Sequence, residues 1–461
     1  MTGPQQTRNR RLTPRRVLLA AILLLTAAPI ITYAALAVRF YTARPSPTHD
    51  AYAEHNARHA HRPDEERAWA LYVTLGPRLS DLSRELRNAM RDASDPDGPP
   101  LPNPFDLRPA DPAFAQAAAA IAASGLLDDA RHAARRPVIA TYFTDRYAND
   151  PPRAPEDFLP PSGVATQRKP LLDSLLLPAA ATRDAAKLLV FDAHRAVAEN
   201  EPQRAVENLR DTASIARQWT GEPGMIAGLL GFACAALAAD AAVEIVESHP
   251  TAFDADQLRT LEETIHAAAA EAGVDFESEL VLVEDFIQHL YAADGRMTPH
   301  GYDILRRSDA SKSGGHSAAL PVVAIFFMDH ATQTESLREA VALARRIPDD
   351  PAAHVPAWVS RQESLRLGSD INLVGPLIEP ALGKAALSQI QSRTQLRAAA
   401  ARLALERFKL AEGRYPDALA ELVPAYLPEL PEDPFNPGHP IKYLLRDAEP
   451  VLYSVGANAV D

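Results

Sequence analysis

Residues 396–461 read LRAAAARLALERFKLAEGRYPDALAELVPAYLPELPEDPFNPGHPIKYLLRDAEPVLYSVGANAVD, and this stretch decides the C-terminal architecture. Its Ala- and Leu-rich first part ends at Gly413, a residue suited to the left-handed conformation just past a helix C-terminus. Residues 441–445 and 451–455 are rich in β-branched and aromatic side chains and flank the segment RDAEP, which predicts an antiparallel hairpin. The stretch therefore predicts a long helix that carries a small sheet.

A two-stranded sheet is marginal alone and must bury one face on the helix. The alternation of side chains along a strand predicts six that face the helix: Ile441, Tyr443, Leu445, Val451, Tyr453 and Val455. The expected helix contacts are Leu403, Phe408 and Leu410.

Three strings follow one another in this stretch: LERFKLAEGRYPDALAELV, YLPELPEDPFNPGHPIKYLL and LYSVGANAVD. Over about 65 of the 461 residues they resemble the globular end of type II secretion major pseudopilins. More generally, the chain resembles uncharacterised membrane-anchored bacterial proteins that append this tail to an Ala-rich helical body. The resemblance implies a pseudopilin-like α+β tail outside the cytoplasm and a link to a secretion or pilus-like system.

The sequence departs from the pseudopilin pattern at both ends. Pseudopilins carry a glutamate near the start of their apolar helix, whereas Arg15 and Arg16 here lead into Val17 with no such residue. Asn458 stands where the family has an aspartate of its calcium loop, and the sequence ends at Asp461. A calcium ion needs six to eight oxygen ligands. We therefore expect no calcium, no other metal and no cofactor, and keep a processed pseudopilin-like subunit as an alternative.

Composition predicts a mainly α fold. Hydrophobic residues make up 47% of the chain and aromatic residues only 6%, so the core must be built from Ala and Leu in close-packed helices. The net charge is −13, and the residues after the first fifty carry 40 basic and 59 acidic side chains. Such a body excludes nucleic acid as a partner, because phosphate binding needs the opposite sign. The lone Cys234 excludes an intrachain disulfide.

The N-terminal segment predicts a membrane anchor. Residues 1–16 contain five arginines and no acid, and Val17–Val38 follow as 22 residues without a charge, enough to span a bilayer. The arginine excess places the N-terminus in the cytoplasm and the body outside it, which predicts a single-pass inner-membrane protein. A cleaved signal peptide is the alternative.

Proline-rich stretches divide the rest of the chain. The sequence predicts a basic cytoplasmic tail (1–16), the anchor (17–38), helical segments with Pro-rich linkers (39–177), a helical body (178–378) and the long helix with the α+β tail (379–461). Within the body, residues 224–239 are uncharged but too short to span a membrane, so we expect a buried helix there. Cys234 lies inside it and is predicted to be an inert core thiol.

Two groups of polar residues are candidate metal ligands. His55 and His59 are four residues apart, so a helix places them on one face, but no third ligand lies at motif spacing, which favours a solvated segment next to the membrane. Glu284, Asp285 and His289 are close on another predicted helix, where a paired or solvent-facing role is favoured. There is no GxSxG, GxxxxGK[ST], HExxH or CxxC motif, so the catalytic residues are unknown.

The sequence therefore favours a membrane-anchored interaction or scaffold protein with protein partners in a membrane complex. The alternative in a different class is an extracytoplasmic hydrolase whose site lies in the helical body. For partner docking, the candidates are Phe435, Pro434 and Pro437, because prolines stiffen the turn at residues 430–439. The competing role for Phe435 is to fold back on the sheet as a plug.

Overall fold

The computed structural model describes residues 50–91, 101–141, 178–292, 294–301, 330–366 and 375–456, together with Leu171 and eight residues between 35 and 45. The chain divides into two compact units, residues 48–286 with 333–461, and residues 1–47 with 287–332. The predicted anchor at 17–38 lies almost wholly outside the described residues.

The described part is mainly helical, as the composition predicts. The helices are α1 (Ala51–His59), α2 (Trp69–Met90), α3 (Phe114–Ser124), α4 (Leu126–Ala134), α5 (Ala179–Ala198), α6 (Pro202–Thr220), α7 (Met225–Ser248), α8 (Ala255–Glu271), α9 (Phe276–Leu290), α10 (His330–Arg346), α11 (Pro351–Arg366) and α12 (Gly375–Glu412). The strands β1 (Lys442–Arg446) and β2 (Glu449–Tyr453) form an antiparallel hairpin.

The larger unit contains the body core, a cluster of buried side chains that includes Tyr72, Phe191 and Trp219. Helices α5 and α6 form an antiparallel pair, and α7 packs against both of them and against α12. Small residues allow this close approach: a Cβ at Gly231 of α7 would lie 3.1 Å from the carbonyl oxygen of Ala216 on α6. The Ala-rich composition thus builds a core in which backbones, rather than large side chains, come close.

Among the described residues, α7 is the helix long and apolar enough to cross a membrane, by length and composition alone. More than half of its most apolar window is buried inside the protein. Its Cys234 is buried, and burial raises the thiol pKa to about 12. These observations agree with a core helix and an unreactive cysteine.

Helix α12 joins the body to the tail. Its first part contributes Leu382 and Ile390 to a second cluster around Trp358, here called the side cluster. Its middle contributes Leu396 and Leu403 to the body core. Its last part contributes Phe408 to a third cluster with Leu422 and Ile441, here called the tail cluster. The helix begins at Gly375, five residues before the predicted start at Pro380, and it is as much a part of the body as of the tail.

The hairpin confirms the predicted topology but corrects its faces. Asp447 and Ala448 have φ angles of 52° and 66°, so the loop has two residues rather than the five of RDAEP. This turn pairs Tyr443 with Leu452, and both pack on the tail cluster. On β2 the buried Pro450 and the half-buried Leu452 therefore face the helix, whereas Tyr453 is 37% exposed. Val455, beyond the end of β2, is buried as predicted.

Two further predicted contacts are wrong. Leu410 is 49% exposed because it lies two residues from the buried Phe408 and so on another face of α12. Leu445 shares the face of Tyr443 but is 42% exposed near the turn end of the hairpin, so neither residue joins the tail cluster. Leu403 is buried, but it lies in the body core. Phe408 and Ile441 are buried in the tail cluster, as predicted.

In the smaller unit, the described residues after α9 form a short turn. Tyr291 pairs with Met297 as an antiparallel bridge, and Thr298 N donates to the Leu290 carbonyl at 2.9 Å.

Candidate functional site

Helix α1 presents His55 and His59 to the interior of the larger unit. Asp50 caps the helix by accepting a hydrogen bond from Ala53 N at 3.1 Å, and Ala51 and Tyr52 are buried in the body core. This packing turns the same face of α1 inward, where the two histidines are 2% and 6% exposed. The predicted solvated segment is therefore wrong at these two positions, because α1 uses that face to pack on the body.

An extended segment brings the backbone of Thr141 to the histidines. Residues 138–139 pair with the start of α2, where Ala68 N donates to the Val138 carbonyl at 2.9 Å and Trp69 N donates to the Ile139 carbonyl at 3.0 Å. Ala140 then adopts a φ of 52°, a left-handed conformation that costs a non-glycine residue about 1–2 kcal/mol. The resulting bend places the Thr141 carbonyl 2.8 Å from His55 Nε2.

The third side chain of the cluster comes from the turn between α6 and α7. Glu222 is held there by its own N–H, which donates to the Trp219 carbonyl at 3.1 Å. Its Oε1 lies 3.6 Å from His59 Nε2 and accepts from Thr141 N at 3.3 Å. One ligand atom from each of His55, His59 and Glu222 lies within 4.8 Å of the others, and all three residues are buried.

The site is buried, and burial decides the charge of its groups. Burial, followed by the neighbouring His59, lowers the pKa of His55 to about 3. Burial, followed by Arg62 and Arg67, lowers the pKa of His59 to about 4. Burial raises the pKa of Glu222 to about 7, against the opposing effect of its hydrogen bonds from Thr141. At neutral pH both imidazoles are therefore neutral and carry a lone pair.

Three arginines surround the cluster, and each has partners of its own. Arg58 donates to Ser278 Oγ at 2.8 Å, and Arg62 pairs with Glu66 at 3.1 Å. Arg67 donates to the carbonyls of His59 at 2.9 Å and Arg62 at 2.6 Å. These bonds direct the guanidinium groups at acceptors other than Glu222.

The proline-rich turn at residues 431–440 is the second candidate site. Asp433 is fully buried, and its carboxylate accepts from Phe435 N at 3.0 Å, Ser454 Oγ at 2.7 Å and Val455 N at 2.9 Å. These hydrogen bonds join the turn to the residues that follow β2. Asp433 is thus committed to protein donors and holds the turn in one conformation.

The docking candidates lie at different depths in this turn. Phe435 is partly buried and packs against the side cluster, so it neither projects into solvent nor plugs the sheet. Pro434 is half-buried and Pro437 is exposed. Pro437 is therefore the candidate that a partner protein can reach, and Phe435 anchors the turn to the helices.

On α9, the two carboxylates Glu284 and Asp285 accept hydrogen bonds from different groups. Glu284 accepts from Arg338 at 2.6 Å, whereas Asp285 is buried and accepts from Leu171 N at 2.7 Å. The two carboxylates therefore serve different structural partners. His289 is buried.

Sequence reasoning found His55 and His59 but missed Glu222. The sequence around it, TGEPG, indicates a turn between two helices and gives no sign that the glutamate is buried. Comparisons of the chain with known protein families, with curated proteins and with solved structures found no match.

Proposed function

We propose that this chain is a single-pass inner-membrane protein whose helical body and tail lie outside the cytoplasm and bind other proteins of a membrane complex. The observation that carries the proposal is the uncharged segment Val17–Val38 preceded by five arginines and no acid. The suggested link to a secretion or pilus-like system rests on the resemblance of the tail to pseudopilins.

The shape of the proline-rich turn supports a role in binding proteins. Asp433 N donates to the His439 carbonyl at 2.9 Å, and Ile441 N donates to the Pro431 carbonyl at 2.9 Å, which closes the turn on itself. Its tip, residues 437–440, is exposed. A turn already fixed in this way loses little conformational entropy when it binds, so a small contact suffices for affinity.

A topology experiment tests the anchor. Reporters active only in the cytoplasm or only outside it are fused after Asp461, and the mature N-terminus is sequenced. We expect the external reporter to be active and the arginine-rich segment to be retained. Cytoplasmic activity refutes the proposal, and a mature N-terminus within residues 35–38 converts the anchor into a signal peptide.

A crosslinking experiment tests the docking surface. A photoreactive amino acid replaces exposed His439 in native membranes, and the control carries it at Glu263, an exposed position of α8. We expect a discrete crosslinked protein from position 439 alone, and its loss when Pro437→Ser is added. Because Pro437 is exposed, this variant should keep its thermal midpoint, whereas Phe435→Ser should lower it. Equal crosslinking with and without Pro437→Ser refutes docking at the turn.

A further inference from the structure

The buried cluster of His55, His59 and Glu222 has the donor set of a zinc site. Two imidazole nitrogens and one carboxylate oxygen, with a fourth position for water, are a common arrangement for Zn²⁺. The three groups come from α1 and from the turn between α6 and α7, and they converge to within 4.8 Å. We propose that they bind one Zn²⁺ ion.

The distance between His59 and Glu222 separates this role from a simple hydrogen bond. His59 Nε2 and Glu222 Oε1 are 3.6 Å apart, longer than the 2.7–3.2 Å of an N–H···O bond. Two ligands of a tetrahedral zinc ion, each about 2.0–2.1 Å from the metal, are about 3.3 Å apart. The observed distance is therefore too long for a direct hydrogen bond. A small movement of the two side chains would let both contact one zinc ion.

Three polar atoms of the cluster, on His59 and Glu222, have no hydrogen bond within the described residues. Within the described part of the chain, both ring nitrogens of His59 and Oε2 of Glu222 are buried without a hydrogen bond. A buried polar atom without a partner costs about 1–3 kcal/mol, and three such atoms at one place call for a shared explanation. A cation held between His59 and Glu222 would give a partner to one of the two ring nitrogens and to the carboxylate.

The Thr141 carbonyl plays the part of an outer hydrogen-bond acceptor. A carbonyl accepts only, so the 2.8 Å contact fixes His55 as the tautomer that donates from Nε2 and carries its lone pair on Nδ1. Metal-binding histidines are oriented by such a bond from the other ring nitrogen. The strained φ of Ala140 is what aims this carbonyl at the ring.

The ligand types favour zinc over magnesium or calcium. Hard cations need six or more oxygens, whereas imidazole ligands suit Zn²⁺, Ni²⁺ and Cu²⁺. The positive charge of Arg58, Arg62 and Arg67 opposes any dication, so the site depends on Glu222 being ionised.

Such an ion would act as a clamp. It would fix α1, the first described helix after the N-terminal segment, to the turn that starts α7. This role concerns the larger unit alone and would hold even if the N-terminal segment is cleaved, so it goes beyond the proposed function.

The test uses the full chain in detergent, purified with a tag that contains no histidine. The protein is stripped with dipicolinate, and ZnCl₂ is then titrated by calorimetry, with metal content measured by elemental mass spectrometry. We expect one Zn²⁺ per chain and a rise of several degrees in the thermal midpoint. Co²⁺ in place of Zn²⁺ should give the visible absorption of a tetrahedral site.

Variants of matched shape assign the ligands. Glu222→Gln and His59→Gln should each weaken Zn²⁺ binding at least about 100-fold while the far-ultraviolet circular dichroism is unchanged. His61→Gln is the control, because His61 is an exposed histidine of the same region and should bind zinc as the parent does. Retention of parental affinity by both ligand variants refutes the proposal, as does a parent chain that takes up no zinc.

Discussion

At the scale of single residues, burial decides what several histidines do. His194 on α5 is 5% exposed, and its Nε2 lies 3.6 Å from Glu244 of α7, too far for a hydrogen bond. Burial is the largest cause that lowers its pKa to about 4, followed by Arg108, while Glu244 raises it and His249 lowers it further. The folded protein therefore holds this ring neutral where the unfolded chain protonates it.

The first prediction follows from this difference in proton binding. The ordinary pKa is 6.5 and the folded one is about 4, so stability is complete above pH 6.5 and is lost as the pH falls toward 4. His194→Gln cannot be protonated, so its free energy of unfolding should fall less over this window. Because the neighbouring Glu244 is 44% exposed and solvent screens its charge, we expect a difference of about 1–2 kcal/mol.

Urea unfolding of the parent and the variant at pH 7, 5.5 and 4 measures this difference. The exposed His61→Gln serves as the control and should follow the parent curve. A His194→Gln curve that runs parallel to the parent at every pH would contradict the prediction.

At the scale of elements, the last turns of α12 decide whether the tail folds. Phe408 is 6% exposed, and its ring centroid lies 5.4 Å from that of Tyr426. Phe408→Ala removes most of this contact and should lower the free energy of unfolding by about 3 kcal/mol or more. Leu410→Ala, two residues along and 49% exposed, should change it by less than about 0.5 kcal/mol. Equal losses in chemical denaturation of the two variants would contradict the observed helix face.

The hairpin turn contains backbone strain that a single substitution can relieve. Ala448 has a φ of 66°, a conformation that glycine adopts without steric cost, and Asp-Gly is a favoured pair for this two-residue turn. Ala448→Gly should therefore raise the free energy of unfolding by up to about 1 kcal/mol. The control Ala418→Gly, at an ordinary φ of −144°, should give no gain. A destabilised Ala448→Gly in thermal melts would refute this account of the turn.

At the scale of the whole molecule, an ion pair with both side chains largely buried joins the long helix to the body. Arg407 of α12 donates to Glu262 of α8, and both side chains are largely buried. The Arg407 guanidinium also lies over the Tyr426 ring, 5.4 Å from its centroid. Burial raises the pKa of Glu262, while Arg407 opposes that shift. The pair therefore holds the helix to the body and depends on both partners.

Replacing one partner of the ion pair should lower the free energy of unfolding more than replacing both. Arg407→Met leaves the Glu262 carboxylate buried alone and should cost about 3 kcal/mol of unfolding free energy. Adding Glu262→Met in the same chain should recover most of that loss, because two apolar side chains need no charge compensation. A double-mutant cycle measured by urea unfolding gives the interaction energy between the two side chains. Strictly additive losses would show that the two groups do not interact.

The sequence by itself determined the local elements. Ala-rich segments with few aromatic residues form the helices, Gly413 ends α12 with a φ of 73°, and two short apolar segments on either side of a turn form the hairpin. These features depend on backbone preferences and on side chains a few residues apart, which a sequence displays directly. Phe408 and Ile441 were also predicted correctly, because each follows the period of its own element.

Only the tertiary structure decided which faces meet. The turn has two residues instead of the predicted five, which shifts the strand register by one residue. A shift of one residue exchanges the two faces of a strand, so Leu452 faces inward on β2. Leu403 lies in the body core because α12 packs on α7 and α8 there. His55 and His59 lie next to Glu222 for the same reason, because the packing of whole helices brings them together. Contacts between residues far apart in the chain depend on how whole helices pack, and no local spacing records them.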